Sequence, residues 1–239
     1  FGFTSTITLI ELSNTNRGLL RMLSEVAPGT FRHSIIVGNL ASEIANKIGA
    51  NSTLVRTGAL YHDIGKMANP AFFTENQQGG INPHDNLTEK ESAKIIIGHV
   101  TNGVKLAEEA NLPVFIRDFI LTHHGRGLTK YFYIKYQNEH PDEIVDKEPF
   151  TYPGPNPYTR EQAILMMADS CEAASHSLKD YSDESITKLV NQIIDGQVDA
   201  GFFTEAAITF RDISEAKTVL IDRLKAIYHT RIQYPELKK

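Results

Sequence analysis

The sequence contains no tryptophan and a single cysteine, Cys171, in 239 residues. One thiol rules out an intramolecular disulfide framework and suits a reducing compartment. No apolar run approaches the length of a membrane-spanning helix. Residues 1–30 do not have the pattern of a signal peptide, and the chain opens on Phe1 rather than Met, so a piece of a longer protein is expected. Alternating apolar and polar residues, the mark of a half-buried strand, are also missing, as are internal repeats and low-complexity tracts. Positive charge is in deficit: 24 Lys and Arg against 29 Asp and Glu give a net charge of −5. That balance argues against a dedicated duplex-DNA binder, which must neutralise phosphates, but leaves room for a small nucleotide in a local basic pocket.

What the sequence does have is length enough for a core, 41% hydrophobic residues and a strong helical period. After an apolar lead-in (Phe1, Phe3, Ile7, Leu9), a first helix is expected to end near Pro28-Gly29. His33, Val37, Leu40, Ala41, Ile44 and Ile48 share one helical face, closed by Gly49. Asn51-Ser52 caps a helix running toward His62 and ending by Gly65. Residues 67–87 carry two Pro and two Gly without a period, and read as a long loop. Thr88 and Glu91 form a capping box before Ile96, His99, Val100 and Val104. A further face holds Ile116, Phe119, Ile120 and His123. Residues 139–158 hold five of the ten prolines and read as an excursion, followed by helices over 161–178, 183–195 and 214–232. The fold class is all-α. Residues 1–30 are taken as a lead-in and 31–239 as the main domain.

Histidine is the informative residue: there are nine, with one adjacent pair, His123-His124. His33, His62, His99, His123 and His124, with Asp63 and Asp169, fall on apolar helical faces or at helix ends. Imidazoles and carboxylates on inward faces suit a metal site in a bundle core. A buried carboxylate such as Asp169 needs a cation, a metal or several donors to survive desolvation. One shared site accounts for seven such residues more economically than seven separate exceptions. The second His-Asp pair, His84-Asp85, follows a proline in the irregular loop and is read as a loop feature rather than a ligand pair.

The order His33, His62-Asp63-Ile64-Gly65-Lys66, His99, His123-His124, Asp169 resembles the HD-domain phosphohydrolases that hold two metals. FTENQQGGINPHDNL (73–87), THHGRG (122–127), KYFY (130–133), YPGPNP (152–157) and MMADSCEAASHSL (166–178) resemble the cytosolic domain of the seven-transmembrane-receptor HD family, the PgpH-type phosphodiesterases. The likeness runs from about Phe31 to Pro235. It implies an HD-domain helical bundle that hydrolyses cyclic di-AMP to linear 5′-pApA, cytoplasmic and tethered to a bacterial plasma membrane through a region upstream of Phe1. A homodimer stays open. The cyclic di-GMP branch is the nearest enzymatic rival. It typically continues past its His-His with Gly-Tyr-Pro, where this chain reads Gly-Arg-Gly-Leu-Thr-Lys-Tyr-Phe-Tyr. The same superfamily resemblance also accommodates hydrolysis of another phosphate ester, or a non-catalytic nucleotide-sensing module of a membrane receptor. The module reading is weakened because all seven candidate ligands are present.

The resemblance further implies that Asp63 bridges two divalent cations about 3.5–4 Å apart. One would take His33, His62 and Asp169, the other His99, His123 and His124. Imidazole-rich ligation favours iron or manganese over magnesium or calcium. Lys66, four residues after His62, is a candidate to pair with a phosphate oxygen, and Arg126 is a second. Tyr152, with Phe72, Phe73, Tyr131 and Tyr133, is a candidate wall for an adenine slot.

Overall fold

The computed structural model describes residues 6–77, 79 and 82–228. Phe1, Phe3 and the expected end of the last helix at 232 lie outside them. Ten α-helices follow in order: α1 (Thr6–Leu12), α2 (Gly18–Val26), α3 (Pro28–Ile48), α4 (Ser52–Tyr61), α5 (Glu89–Glu109), α6 (Val114–Thr122), α7 (Lys130–Glu139), α8 (Arg160–Ser175), α9 (Asp183–Asp199) and α10 (Phe210–Tyr228). Among the described residues there is no strand, only an isolated bridge between Leu128 and Thr151. The fold is all-α, as the periodicity predicts. Among the described residues no helix is long and apolar enough to cross a membrane.

Local chemistry accounts for the helix ends. The helix expected to end near Pro28-Gly29 ends at Val26, and Pro28 opens α3, where its missing N–H and fixed φ cost nothing. Ala27 offers that helix no side-chain cap, and Asn76 substitutes from the far loop, its Oδ1 accepting from Thr30 N at 3.1 Å. Gly49 ends α3 in the left-handed region with φ 71. Asn51 caps α4 through Leu54 N at 3.0 Å. Capping boxes at Thr88/Glu91 and Thr159/Gln162 start α5 and α8.

Two large apolar clusters hold most of these helices, and a small third one around Phe150 packs α7 on α5. The larger packs Val37, Leu40 and Ile44 of α3 against Leu165 of α8, Ile194 of α9 and Leu220 of α10. α8 runs through the middle, and most of its residues are buried on all sides, as in a helix enclosed by neighbours. The second cluster joins Leu20 and Leu23 of α2 to Leu60, Ile64, Ile116 and Ile120. Each of these buried leucines contributes roughly 1.5–3 kcal/mol. α3 runs unbroken through residues 30 and 31, so α2 and the helices after it share this second cluster.

The loop over 67–87 is built from 3-10 turns at Pro70–Phe72, Thr74–Asn76 and Pro83–Asn86. A further 3-10 turn, Ile64–Ala68, follows α4 directly and lies against α5. Gly65 allows that contact. A Cβ there would sit 1.8 Å from the His99 carbonyl oxygen and 2.4 Å from Gly103 N. The glycine of the His-Asp-Ile-Gly-Lys run thus brings the end of α4 onto the backbone of α5 at His99.

Candidate metal centre

Five helices deliver the predicted ligands to one place. His33 lies early in α3, His62 and His123 close α4 and α6, and His99 and Asp169 lie within α5 and α8. Asp63 follows His62 at φ −110, ψ 13, just past the end of α4, with its side chain buried. All of these are buried, and His124 is half-buried beside them.

Asp63 is the centre of the arrangement. Its Oδ2 lies 3.2 Å from His62 Nε2 and 3.7 Å from His33 Nε2. Its Oδ1 lies 3.2 Å from His99 Nε2 and 3.6 Å from His123 Nε2. Asp169 Oδ1 joins the first group, 3.0 Å from His33 Nε2 and 3.5 Å from His62 Nε2. His33, His62 and Asp63 form one set of potential ligand atoms within 4.8 Å of one another, and His99, His123 and His124 form another.

Tautomers follow from the backbone. His62 Nδ1 lies 2.7 Å from the Ala59 carbonyl oxygen, His99 Nδ1 2.5 Å from that of Ile96, and His123 Nδ1 2.8 Å from that of Ile120. A carbonyl only accepts, so each Nδ1 carries the hydrogen and each neutral ring turns an Nε2 lone pair to the centre. His99 Nε2 and His123 Nε2 then face each other at 3.1 Å. His62 Nε2 and Asp63 Oδ1 are buried with no hydrogen-bond partner. Convergent lone pairs and an orphaned carboxylate oxygen repel unless a cation lies among them, so the donor set fits metal ions.

Without a metal, protonation of His33 and His62 offsets part of that repulsion. Burial opposes charge on His33, but hydrogen bonds to Asp169 and Glu172 outweigh it and raise its pKa to about 9. Burial likewise opposes charge on His62, and Asp63 and Asp169 raise it to about 10. Burial works against ionised Asp63 too, yet His62 and Lys66 hold it well below the usual carboxylate range. Burial next to His123 and His99 pushes His124 well below the ordinary imidazole value.

The other predicted residues surround this core. Lys66 Nζ lies 2.7 Å from Asp63 Oδ2 and 2.8 Å from Glu75 Oε1, above the Phe73 ring. Tyr152 is buried and stacks on His124, centroids 4.2 Å apart. Arg126 is exposed, its backbone N–H bound to Asn156 Oδ1 at 2.9 Å. A cavity of about 670 Å³ opens onto His33, Asp63, Lys66 and Asp169. Another of about 620 Å³ lies past His123, with Arg126 and Tyr152 in its wall, and both touch His124 and Ser170. Phe72, Phe73, Tyr131 and Tyr152 line a third, of about 470 Å³, whereas Tyr133 packs on Phe150. His84 stays outside the ligand groups. Its Nε2 meets the Phe72 carbonyl at 3.0 Å and its ring packs on Phe72 and Phe132.

Sequence reasoning missed two carboxylates. Glu172 lies 2.5 Å from His33 Nδ1 through its Oε2, and Glu75 binds Lys66. Glu172 follows Asp169 by three residues, the helical spacing that could have flagged it. Glu75 comes from the irregular loop and had no such signal.

A helical bundle whose His-Asp step brings five imidazoles and two aspartates together is an HD domain. Residues 30–174 match the HD domain family, and the chain belongs to it. Within that family the chain is similar to cyclic-di-AMP phosphodiesterase PgpH of Listeria monocytogenes, with 46% identity over 238 residues, and to PgpH of Bacillus subtilis, with 43% over 239. Both matches take in all of this chain and 33% of the relative, so the chain spans about a third of the length of the curated relatives it matches. The crystal structure of the L. monocytogenes PgpH HD domain in complex with cyclic-di-AMP aligns with a TM-score of 0.84 at 45% identity, covering 90% of this chain and 99% of that one.

Proposed function

We propose that this domain is a metal-dependent phosphodiesterase that opens cyclic di-AMP to linear 5′-pApA with a dinuclear iron or manganese centre. The observation that carries the reading is Asp63, whose two oxygens face two separate histidine groups. His33, His62 and Asp169 would hold one cation, His99, His123 and His124 the other, and Asp63 would serve both. Such a pair supplies Lewis acidity and a water of lowered pKa for attack on phosphorus.

The chain's own groups do the rest. Lys66 reaches the scissile phosphate from the cavity wall beside Asp63, and its ammonium offsets charge growing on the non-bridging oxygens. Tyr152 stacks on the His124 ring and lines two cavities. Arg126 faces the cavity on the far side of His123. Spaces of about 670 and 620 Å³ meeting at His124 are of the size that suits nucleosides on either side of a central phosphodiester. The names and the bound ligand of the relatives support adenine as the base. In this reading residues 31–239 carry catalysis and 1–30 lead in from a membrane-anchored region, on the cytoplasmic face.

Timed digests of cyclic di-AMP and cyclic di-GMP by manganese-loaded protein test the proposal. Linear 5′-pApA as the first product, formed faster than cyclic di-GMP is opened, is the expected result. AMP as the sole early product, or equal turnover of cyclic di-GMP, refutes it. Metal analysis near two ions per chain is expected, and no ion bound after reconstitution supports a sensing module instead. A full-length gene product found only in the soluble fraction removes the membrane tether.

A further inference from the structure

Among the inner imidazoles held through Nδ1, His33 has an unusual partner. His62, His99 and His123 bind a backbone carbonyl three residues back, whereas His33 binds the Glu172 carboxylate at 2.5 Å. One face of α8 supplies both partners of that ring: Asp169 meets Nε2 at 3.0 Å and Glu172, one turn on, meets Nδ1. Glu172 is 2% exposed, and its other oxygen is taken by His176 Nε2 at 2.9 Å. The carboxylate is therefore fully engaged and fixed in place. Nothing in the proposed chemistry uses it directly.

We infer that Glu172 is a positioning residue that makes the His33 half of the centre the tighter metal site. This rests on the dinuclear reading given above. A carboxylate accepting from Nδ1–H locks the ring so that Nε2 points at the centre. It also pushes electron density onto that nitrogen more strongly than a neutral carbonyl does, which raises its strength as a ligand. The opposite half has carbonyl-held His99 and His123, and a half-buried His124 whose ring stacks on Tyr152. The two halves thus differ in ligand strength, and α8 sets the difference through one buried side chain.

Manganese titration of the metal-free protein tests the inference, with bound ions counted by elemental analysis alongside the activation constant for hydrolysis. Wild type is expected to take up two ions in two steps. Glu172→Gln keeps the shape and an acceptor oxygen but loses the charge. It is expected to weaken the tighter step about 10- to 100-fold, with excess manganese restoring both occupancy and turnover. Glu172→Ala should hold about one ion where wild type holds two. His176→Ala, which leaves the Glu172–His33 contact in place, should titrate like wild type. Wild-type uptake of no more than one ion would sink the dinuclear reading itself. Two-step uptake by wild type with unchanged constants in Glu172→Gln would sink only the role of Glu172. A weakened second, looser step with the tight step intact would overturn the assignment of the tight site to His33.

Discussion

Gly65→Ala should damage the centre without touching a ligand. The added Cβ would lie 1.8 Å from the His99 carbonyl oxygen and 2.4 Å from Gly103 N, where atoms in contact normally keep about 3.5 Å. Both obstacles are backbone, so no side-chain rotation relieves them. The turn after α4 and the backbone of α5 must part by roughly an ångström or more. Overpacking of this sort costs about 1–3 kcal/mol where neighbours can adapt, and a rigid helix backbone places this site at the upper end. At about 2–4 °C per kcal/mol for a chain of this size, melting should fall by about 6–12 °C. The displacement acts directly between Asp63 and His99, whose facing atoms stand 3.2 Å apart, while ligand distances tolerate about 0.2 Å. Metal uptake should therefore fall with stability. Gly58→Ala is the control: its Cβ would meet the Phe119 ring at 2.3 Å, inside the apolar core. It should lower the melting point while both ions still bind. Melting curves and metal titrations of the two variants decide the matter, and Gly65→Ala with wild-type stability and uptake would refute the packing argument.

Asp63→Ala should abolish metal binding and hydrolysis while helical circular dichroism survives, because Lys66 keeps Glu75 as a partner at 2.8 Å; full metal content in that variant would overturn the site assignment. His84→Ala should be far milder than His62→Ala for metal content, since His84 contacts a carbonyl and two rings rather than the centre; equal loss in both would show the loop pair to be ligands. Metal uptake near pH 7.5 should release about two protons per chain, because His33 and His62, raised to about 9 and about 10 without metal, stay protonated there. Release should fade as pH rises past those values and affinity should weaken as pH drops. Calorimetry in buffers of different ionisation enthalpy measures this, and zero net release would contradict it. By the same linkage, the metal-free fold holds the stability from these two raised groups in full below about pH 6.5 and loses it as pH rises through 9–10, which melting against pH will show.

The sequence was most readable where one local rule acted alone. Thr88 with Glu91, Asn51 before Ser52 and Gly49 after Ile48 each marked a helix end that the structure keeps, because caps are settled by neighbours within a few residues. The residues of the centre were legible because imidazoles on apolar faces are out of place unless they converge. The helix end expected near Pro28-Gly29 falls at Val26, and the same proline opens α3, because a proline both follows one helix and starts the next. α7 carried a weak signal: none of its residues is fully buried, and only Phe132, Tyr133 and Tyr136 pack in part against the small cluster around Phe150. α9 and α10 have ends that differ from expectation, α9 reaching Asp199 and α10 beginning at Phe210. Glu75 was invisible because its importance is to another side chain across the fold, whereas Glu172, one turn after Asp169 on α8, carried a helical-spacing signal that was not used.

The clip between the 3-10 loop and α3 divides the tolerance of the longest irregular stretch of the chain. Glu75 and Asn76 together hold Thr30, and Gly29 passes so close that a Cβ would meet the Glu75 carbonyl oxygen at 1.8 Å. A few residues on, Gly79 stands exposed with φ +80 and open space around it. A Cβ on Gly79 would meet nothing within 4 Å, while a change of length between Phe73 and Asn76 would shift the first turn of α3 and carry His33 with it. A segment that resembles filler in composition works as a gauge, setting how far the first metal-facing helix can slide.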